Sequence, residues 1–200
     1  IFVDPDNKYF LAKDGILYSK DSKTLVSFPP ARKLFDIACL DGVKIIGDGA
    51  FSCCDCIEDL ILPDSITSIG NYAFESCEQL NSVYIPDTVI NIGKAVFAYS
   101  SVKTVHLSKN IKSLEAGFDY DGEGEGFFAG SDLEKILIPD GIEKIGYSTF
   151  SGCRKLKEVH IPASVKKIED YAFNNCVSLE EIKVYGKNEL YYSEGGVLYS

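Results

Sequence analysis

Residues 66–86 read ITSIGNYAFESCEQLNSVYIP, and the same arrangement of apolar residues recurs along most of the chain. When the copies are aligned, six phenylalanines share one position: Phe51, Phe74, Phe97, Phe128, Phe150 and Phe173. The period is about 23 residues, within the range of solenoid repeats, with single-residue contractions after Phe97 and Phe128 and one insertion of about nine residues. A unit of this size cannot bury its own apolar face, so the pattern predicts that successive copies stack on one another.

Each repeat also carries two apolar residues separated by one residue, and four of these pairs are followed by proline. The pairs are Leu60/Leu62, Val83/Ile85, Val105/Leu107, Ile136/Ile138, Val159/Ile161 and Ile182/Val184. Alternation that ends at proline predicts a short strand, because proline cannot continue the hydrogen-bonded ladder. Stacking then places equivalent strands parallel and about 4.8 Å apart.

A glycine follows the isoleucine that precedes the return segment in four repeats: Gly47, Gly70, Gly93 and Gly146. This glycine predicts a tight bend where a Cβ atom would clash or where φ is positive. Glu115 and Glu169 occupy the same position in two other repeats, and we expect the bends there to differ.

The composite motif of residues 66–86 resembles the BspA-like, or treponemal, class of leucine-rich repeats over about residues 43–184. The resemblance implies a leucine-rich repeat solenoid that is mainly β, with short parallel strands and helical or 3-10 turns in each repeat. It further implies a secreted or cell-surface protein, since members of the class are associated with adhesion, host-protein binding and contact with other microbes.

We expect three parts in the chain. Residues 1–42 form an irregular β-hairpin module that is continuous with the solenoid, and 43–184 form the six leucine-rich repeats with an insertion at 118–127. Residues 182–200 align with residues 1–19 without a gap, so 185–200 are interpreted as the truncated start of a second hairpin module. The natural protein is therefore expected to continue beyond Ser200.

The composition excludes several classes of function. The chain has 200 residues with 20 Lys+Arg against 30 Asp+Glu, and its net charge of −10 argues against nucleic acid or anionic membrane as a partner. No apolar run reaches the roughly 18 residues of a membrane-spanning helix, so no membrane insertion is expected. No paired carboxylates, catalytic triad or phosphate-binding loop can be placed in one pocket, and a non-catalytic monomer without cofactors is predicted.

Four of the seven cysteines lie three residues after the shared phenylalanine: Cys54, Cys77, Cys153 and Cys176. Residues in register on a parallel ladder are about 4.8 Å apart, whereas a disulfide needs Cβ atoms about 3.8 Å apart. Free thiols that hydrogen-bond to turn backbone are therefore predicted at these four positions. The state of Cys39, Cys53 and Cys56 stays open, and Cys53-Cys54-Asp55-Cys56 lacks the second ligand pair that is typical of zinc sites.

The insertion contains alternating acidic and glycine residues, which could bind Ca²⁺ through the oxygens of Asp119, Asp121, Glu123 and Glu125. The EF-hand pattern is incomplete because no glutamate stands at its terminal position. The same composition is typical of a solvated loop, so calcium is an open alternative and no metal is assigned.

One face of the predicted strands carries an unusual set of residues. If the paired apolar residues point inward, the residue between them points outward. This outward column is Ile61, Tyr84, His106, Leu137, His160 and Lys183. Contiguous exposed apolar and aromatic side chains mark interaction surfaces. We therefore predict that these six residues bind a protein or glycan ligand, such as host extracellular matrix. The alternative is a structural spacer or stalk, which requires no such column.

Overall fold

A computed structural model of the protein describes residues 1–118 and 124–200. The strands in chain order are β1 (Phe10–Lys13), β2 (Ile16–Ser19), β3 (Thr24–Ser27), β4 (Ile45–Ile46), β5 (Asp59–Ile61), β6 (Ser68–Ile69), β7 (Ser82–Tyr84), β8 (Asn91–Ile92), β9 (Thr104–His106), β10 (Ser113–Leu114), β11 (Gly117–Phe118), β12 (Gly124–Glu125), β13 (Lys135–Leu137), β14 (Lys144–Ile145), β15 (Glu158–Ile161), β16 (Lys167–Ile168), β17 (Glu181–Val184), β18 (Tyr192–Glu194) and β19 (Val197–Tyr199). Within these two ranges the helical content is one 3-10 helix, Ile37–Leu40.

The predicted leucine-rich repeat solenoid is confirmed. Strands β5, β7 and β9 pair in parallel, and so do β13, β15 and β17, each by stacking equivalent positions of successive repeats. A second set of two-residue strands, which the spacing did not predict, lies just before the bend of each repeat. This set pairs as β4-β6-β8 and β10-β14-β16. The antiparallel strands β1 to β3 join the first of these sheets because β3 pairs in parallel with β4.

The six aligned phenylalanines form one continuous stack through the interior. Phe74 lies between Phe51 and Phe97 with ring centroids 5.4 and 5.5 Å away and rings within 9° of parallel. The stack continues through Phe128, Phe150 and Phe173 at 5.4–5.6 Å. Phe28, one period before Phe51, extends it by a ring that the sequence alignment had not included.

At Gly70, Gly93 and Gly146 the bend glycine is required by close packing and not by its backbone angle. A Cβ atom on Gly93 would lie 2.5 Å from the carbonyl carbon of Gly70 and 2.7 Å from the Cα of Asn71. None of the four bend glycines has a positive φ. Of the two alternatives considered for this position, the steric one is therefore correct.

The repeat with Glu169 keeps the hydrogen bond that the glycine repeats make. The Glu169 backbone amide donates to the Ile145 carbonyl at 2.9 Å, as the Gly70 backbone amide donates to the Ile46 carbonyl at 2.8 Å. The Lys144 ammonium lies 2.9 Å from the Glu115 carboxylate and 3.4 Å from that of Glu169. The two glutamates that replace glycine are thus joined by one lysine.

The return segment of each repeat consists of turns that are hydrogen-bonded to the next repeat. Positive φ angles fall here on non-glycine residues, for example 55° at Tyr72 and 53° at Ser76. The Phe74 and Ser76 amides donate to the carbonyls of Val96 and Ala98 in the next repeat, both at 2.9 Å. An amide engaged in this way is not available for an intrahelical bond, which explains why the segment is not a continuous helix.

The segments at the two ends of the chain fold in the same way. Leu11 pairs with Tyr18 in the first hairpin, and Tyr192 pairs with Tyr199 at the equivalent positions of the second. The Asn188 side-chain oxygen accepts from the amides of the two residues that precede β18, both at 2.9 Å, and Asn7 makes the equivalent bonds at the start of β1. The Asn188 side-chain nitrogen also donates to the Val165 carbonyl at 2.9 Å, which joins the second hairpin to the sixth repeat.

The cysteine ladder consists of thiols bonded to the preceding repeat. None of the seven cysteines, all within the described part of the chain, forms a disulfide. The thiols of Cys77, Cys153 and Cys176 donate to phenylalanine carbonyls of the preceding repeat at 3.0–3.1 Å. Burial raises the pKa of Cys77 and Cys153 from 9.0 to about 12. These thiols stay protonated in the folded protein.

The ladder predicts a loss of stability at alkaline pH. In the unfolded chain these thiols ionise near their ordinary pKa, whereas in the folded protein they keep the proton up to higher pH. Ionisation therefore favours the unfolded chain, and the free energy of unfolding falls progressively from about pH 9 to about pH 12. We expect the melting temperature to fall less between about pH 8.5 and 10.5 in a Cys77→Ser/Cys153→Ser variant. The serine hydroxyls keep a donor for the carbonyls and do not titrate. An identical pH dependence in both proteins would contradict the prediction.

Candidate binding surface

The outward column is built by the register of the strands that end or centre on it. Ile61, Tyr84 and His106 are in register across β5, β7 and β9. Leu137, His160 and Lys183 are in register across β13, β15 and β17. In β5, β9 and β13 the middle residue is buried and its neighbours are exposed. The column therefore follows from the strand alternation that the sequence shows.

The first four residues of the column form an exposed apolar and aromatic surface. Ile61 is 72% exposed and Leu137 is 65% exposed, although both are large aliphatic residues on a regular sheet. The rings of Tyr84 and His106 stack on each other with centroids 4.4 Å apart and planes 6° from parallel. This packing orders the two rings without removing them from solvent.

The last two residues of the column belong to an ion-pair network and are half-buried. The Glu158 carboxylate pairs with Lys135 at 2.7 Å and with Lys183 at 2.8 Å, and it also contacts the His160 ring. Hydrogen bonds from Lys135, Lys183 and His160 lower the pKa of Glu158 far below its ordinary value. His160 and Lys183 thus have partners within the protein, which divides the predicted column into an apolar half and a charged half.

Two residues that the sequence analysis did not select extend the apolar half. Leu34, which is 78% exposed, and Ile37 line a groove of about 640 Å³ together with Ile61. They belong to the N-terminal module, which the sequence alignment of the six repeats did not include. Their signal in the sequence was the apolar run Leu34-Phe35 with Ile37, outside any repeat. We name the combined surface the apolar strip: Leu34, Ile37, Ile61, Tyr84, His106 and Leu137.

A second groove lies within the strip where the sheet is interrupted. The repeat with the insertion separates β9 from β13, and these strands do not form a common ladder. The groove has a volume of about 470 Å³ and is lined by Tyr84, His106, Leu137 and Pro139 together with Ile61. Tyr84 and His106 are the titratable side chains of its lining, which is otherwise apolar or hydroxyl-bearing. The strip therefore offers two adjoining apolar grooves that share Ile61.

Carboxylates line one end of the strip. Asp36 and Asp59 line the same groove as Leu34, Ile37 and Ile61, and no basic side chain lines it. Asp59 accepts hydrogen bonds from the Ser82 hydroxyl and the Asn81 amide, which lower its pKa. The Asp36 carboxylate accepts from the backbone amide at the start of the 3-10 helix. Both acidic groups are thus held in place at the groove.

The calcium alternative falls mostly on residues whose structure is not described: Asp119, Asp121 and Glu123. Glu125, the fourth residue, lies in β12. Among residues 1–118 and 124–200, no group of three or more histidine, cysteine, aspartate and glutamate side chains is arranged to hold a metal ion. The same residues contain no helix with the length and apolar character needed to cross a membrane.

Comparisons with solved structures place the fold among bacterial leucine-rich repeat proteins. A leucine-rich cell surface protein from Faecalibacterium prausnitzii is 29% identical with a TM-score of 0.65, covering 91% of this chain and 41% of its own. A leucine-rich repeat protein from Eubacterium ventriosum is 27% identical with a TM-score of 0.63, covering 96% and 46%. One from Bacteroides ovatus is 28% identical with a TM-score of 0.55, covering 96% and 54%.

This chain spans about half or less of the length of those three proteins. No curated protein sequence matches it. The family described as the BspA type leucine-rich repeat region matches residues 26–119 and 124–194, in six copies. These residues include all six aligned phenylalanines and all the strands that carry the outward column. The chain therefore belongs to the BspA-type leucine-rich repeat family.

Proposed function

We propose that this chain is a non-catalytic binding module of a bacterial cell-surface or secreted protein, and that it binds protein or glycan ligands, including those of a host. The surface location is supported by the similar protein from Faecalibacterium prausnitzii, which is described as a cell surface protein. The binding role is supported by the geometry of the strip.

The observation that carries the proposal is the apolar strip itself. A spacer is selected only to hold its shape, so its solvent face has no physical reason to present large apolar groups side by side. Here Leu34, Ile61 and Leu137 are each largely exposed, and they lie on the face that also carries the stacked Tyr84 and His106. The strip differs in this respect from the neighbouring His160 and Lys183, which are paired with Glu158.

The test is the triple variant Tyr84→Ser/His106→Ser/Leu137→Ser. We expect its melting temperature to stay within a few degrees of the parent, because these side chains point away from the core. Binding to a ligand identified in a screen of matrix proteins and glycans is expected to fall by at least tenfold, since central interface side chains carry most of the binding free energy. Melting is followed by circular dichroism and binding by surface plasmon resonance.

A matched control changes exposed apolar residues outside the strip, as in Ile90→Ser/Val177→Ser/Leu190→Ser. All three are more than half exposed. This control is expected to leave binding within twofold of the parent. Equal losses in both triple variants would contradict the assignment to the strip. A parent that binds nothing in the screen would favour the spacer.

A further inference from the structure

We infer that the apolar strip binds an amphipathic α-helix of a partner protein, with the basic residues of that helix over Asp36 and Asp59. The inference rests on the proposed binding function and specifies the occupant of the same surface. It combines three observations: the direction of the strip across the strands, the length of the strip and the charge at one end.

The sheet face favours a helix over an extended peptide. Extended peptides gain main-chain hydrogen bonds at the free edge of a sheet. The strip instead runs across the strands: β7 is paired on both sides, and a peptide added at the free edge of β5, β9 or β13 would lie parallel to the strands and cover only part of the strip. A partner that covers the whole strip must therefore cross the strands and is recognised through its side chains. A helix satisfies its own backbone groups and packs on the face of a sheet through one apolar stripe.

The dimensions of the strip agree with those of a short helix. From Ile61 to Leu137 it crosses four successive repeats, or about 14 Å at about 4.8 Å per repeat. With Leu34 and Ile37 beside Ile61 the strip reaches roughly 20 Å, the length of about 13 helical residues. Successive turns of a helix are about 5.4 Å apart, so each turn can place an apolar side chain close to one repeat.

The charge distribution orients the helix. Asp36 and Asp59 line the groove at the Leu34 end, and no lysine or arginine in the described ranges forms an ion pair with either. Two lysines near the other end are already paired, Lys109 with Asp87 and Lys135 with Glu158, both at 2.7 Å. The exposed Lys103 before β9 forms no ion pair with any described residue and acts on Asp59 only through its charge, which leaves the Leu34 end with an excess of negative charge. Unpaired negative charge at one end selects a partner with basic residues at the corresponding end.

The ring geometry argues against a glycan as the occupant. A sugar ring stacks on the open face of an aromatic side chain. Tyr84 and His106 each cover one face of the other at 4.4 Å, and both lie in a row between Ile61 and Leu137. A continuous row of this kind matches the apolar side of a helix better than a flat sugar ring.

The experiment uses the whole chain and synthetic peptides as probes. The first peptide has about 16 residues, enough for roughly 24 Å of helix, with leucines at i, i+4, i+7 and i+11 and three lysines in its last turn. A second carries glutamates in place of the lysines, and a third has the leucines at alternate positions, so that its amphipathic form is a strand. Fluorescence anisotropy measures the affinity of each. The lysine helix is expected to bind at least tenfold tighter than either of the other two.

The acidic end is tested by Asp36→Asn/Asp59→Asn, which keeps side-chain oxygens for the existing hydrogen bonds. We expect this variant to bind the lysine helix with about three- to tenfold lower affinity at low salt, the usual effect of losing two exposed charge contacts. The matched control Glu78→Gln/Asp170→Asn changes the net charge equally at exposed sites away from the groove and is expected to have less than a twofold effect. Equal losses in both variants would show only general attraction to an acidic protein and would overturn the inference.

The strip variant Tyr84→Ser/His106→Ser/Leu137→Ser separates the inference from the proposed function. Its affinity for the lysine peptide is expected to be at least tenfold lower than that of the parent. If the strand-like peptide bound more tightly than the lysine helix, the partner would be an extended segment and the helix inference would be wrong. If no peptide binds but the strip variant loses a glycan or matrix ligand found in the screen, the binding function stands and the helix inference is wrong.

Discussion

Replacing Phe74 with alanine is expected to lower the free energy of unfolding by about 3–5 kcal/mol, the usual cost of emptying a buried phenylalanine site. Phe74 is fully buried, and its ring is stacked on both sides, against Phe51 and Phe97. Neither neighbouring repeat can close the gap without losing the parallel pairing of its strands. In a domain of this size the loss corresponds to a fall in melting temperature on the order of 10 °C.

The matched control is Phe173→Ala at the end of the same stack. Phe173 is only half-buried, and its ring has one stacking neighbour, Phe150, at 5.4 Å. Its removal opens less new cavity, so we expect a clearly smaller loss. Thermal melting and urea unfolding measure both variants. A Phe74→Ala protein that melts like the parent would contradict the interior stack.

The second large effect is expected for Gly93→Ala, which should destabilise the protein by about 3 kcal/mol, the upper part of the range for overpacked sites. The added methyl group would meet backbone atoms of Gly70 and Asn71 at 2.5 and 2.7 Å. Backbone cannot turn aside as a flexible side chain can, so the two repeats must separate. Their parallel strands β6 and β8 would then lose their pairing.

Gly42→Ala is the informative control for this substitution. Gly42 has a φ of 74° and no atom within 4 Å of a Cβ placed on it, so its alanine variant tests backbone strain without a clash. We expect a cost of about 1–2 kcal/mol there. Urea unfolding of the two variants separates the steric effect from the conformational one. A larger cost at Gly42 than at Gly93 would show that the bend does not require close contact between repeats.

The repeat spacing was sufficient to predict the core because the same local pattern is used six times. Each copy independently directs a phenylalanine toward the interior and directs the residue between its two paired apolar residues outward, and stacking then brings equivalent residues into register. The free thiols of Cys77 and Cys153 followed from the same register, since the distance between parallel strands is too long for a disulfide. The position of the bend glycine was also predictable from the sequence, but the sequence did not distinguish a steric requirement from a positive φ.

Other features required the folded chain. The positive φ angles lie at Tyr72 and Ser76, shortly after the bend glycine Gly70, because the return turn donates its amides to the next repeat. A local sequence window does not contain those acceptors, which lie one full repeat further along the chain. The two-residue strands before the bends were missed for the same reason, since they pair with their equivalents in other repeats and, for β4, with β3 of the N-terminal module.

By itself, then, the sequence determined the repeat, the interior phenylalanines and the outward direction of Ile61, Tyr84, His106 and Leu137, because all of these follow from alternation within a short segment. The tertiary structure alone decided which of the outward residues form a common surface. It brought Leu34 and Ile37 beside Ile61, and it paired His160 and Lys183 with Glu158. Contacts of this kind depend on how an irregular module packs against the first repeats and on where long side chains find partners, and neither is periodic in the chain.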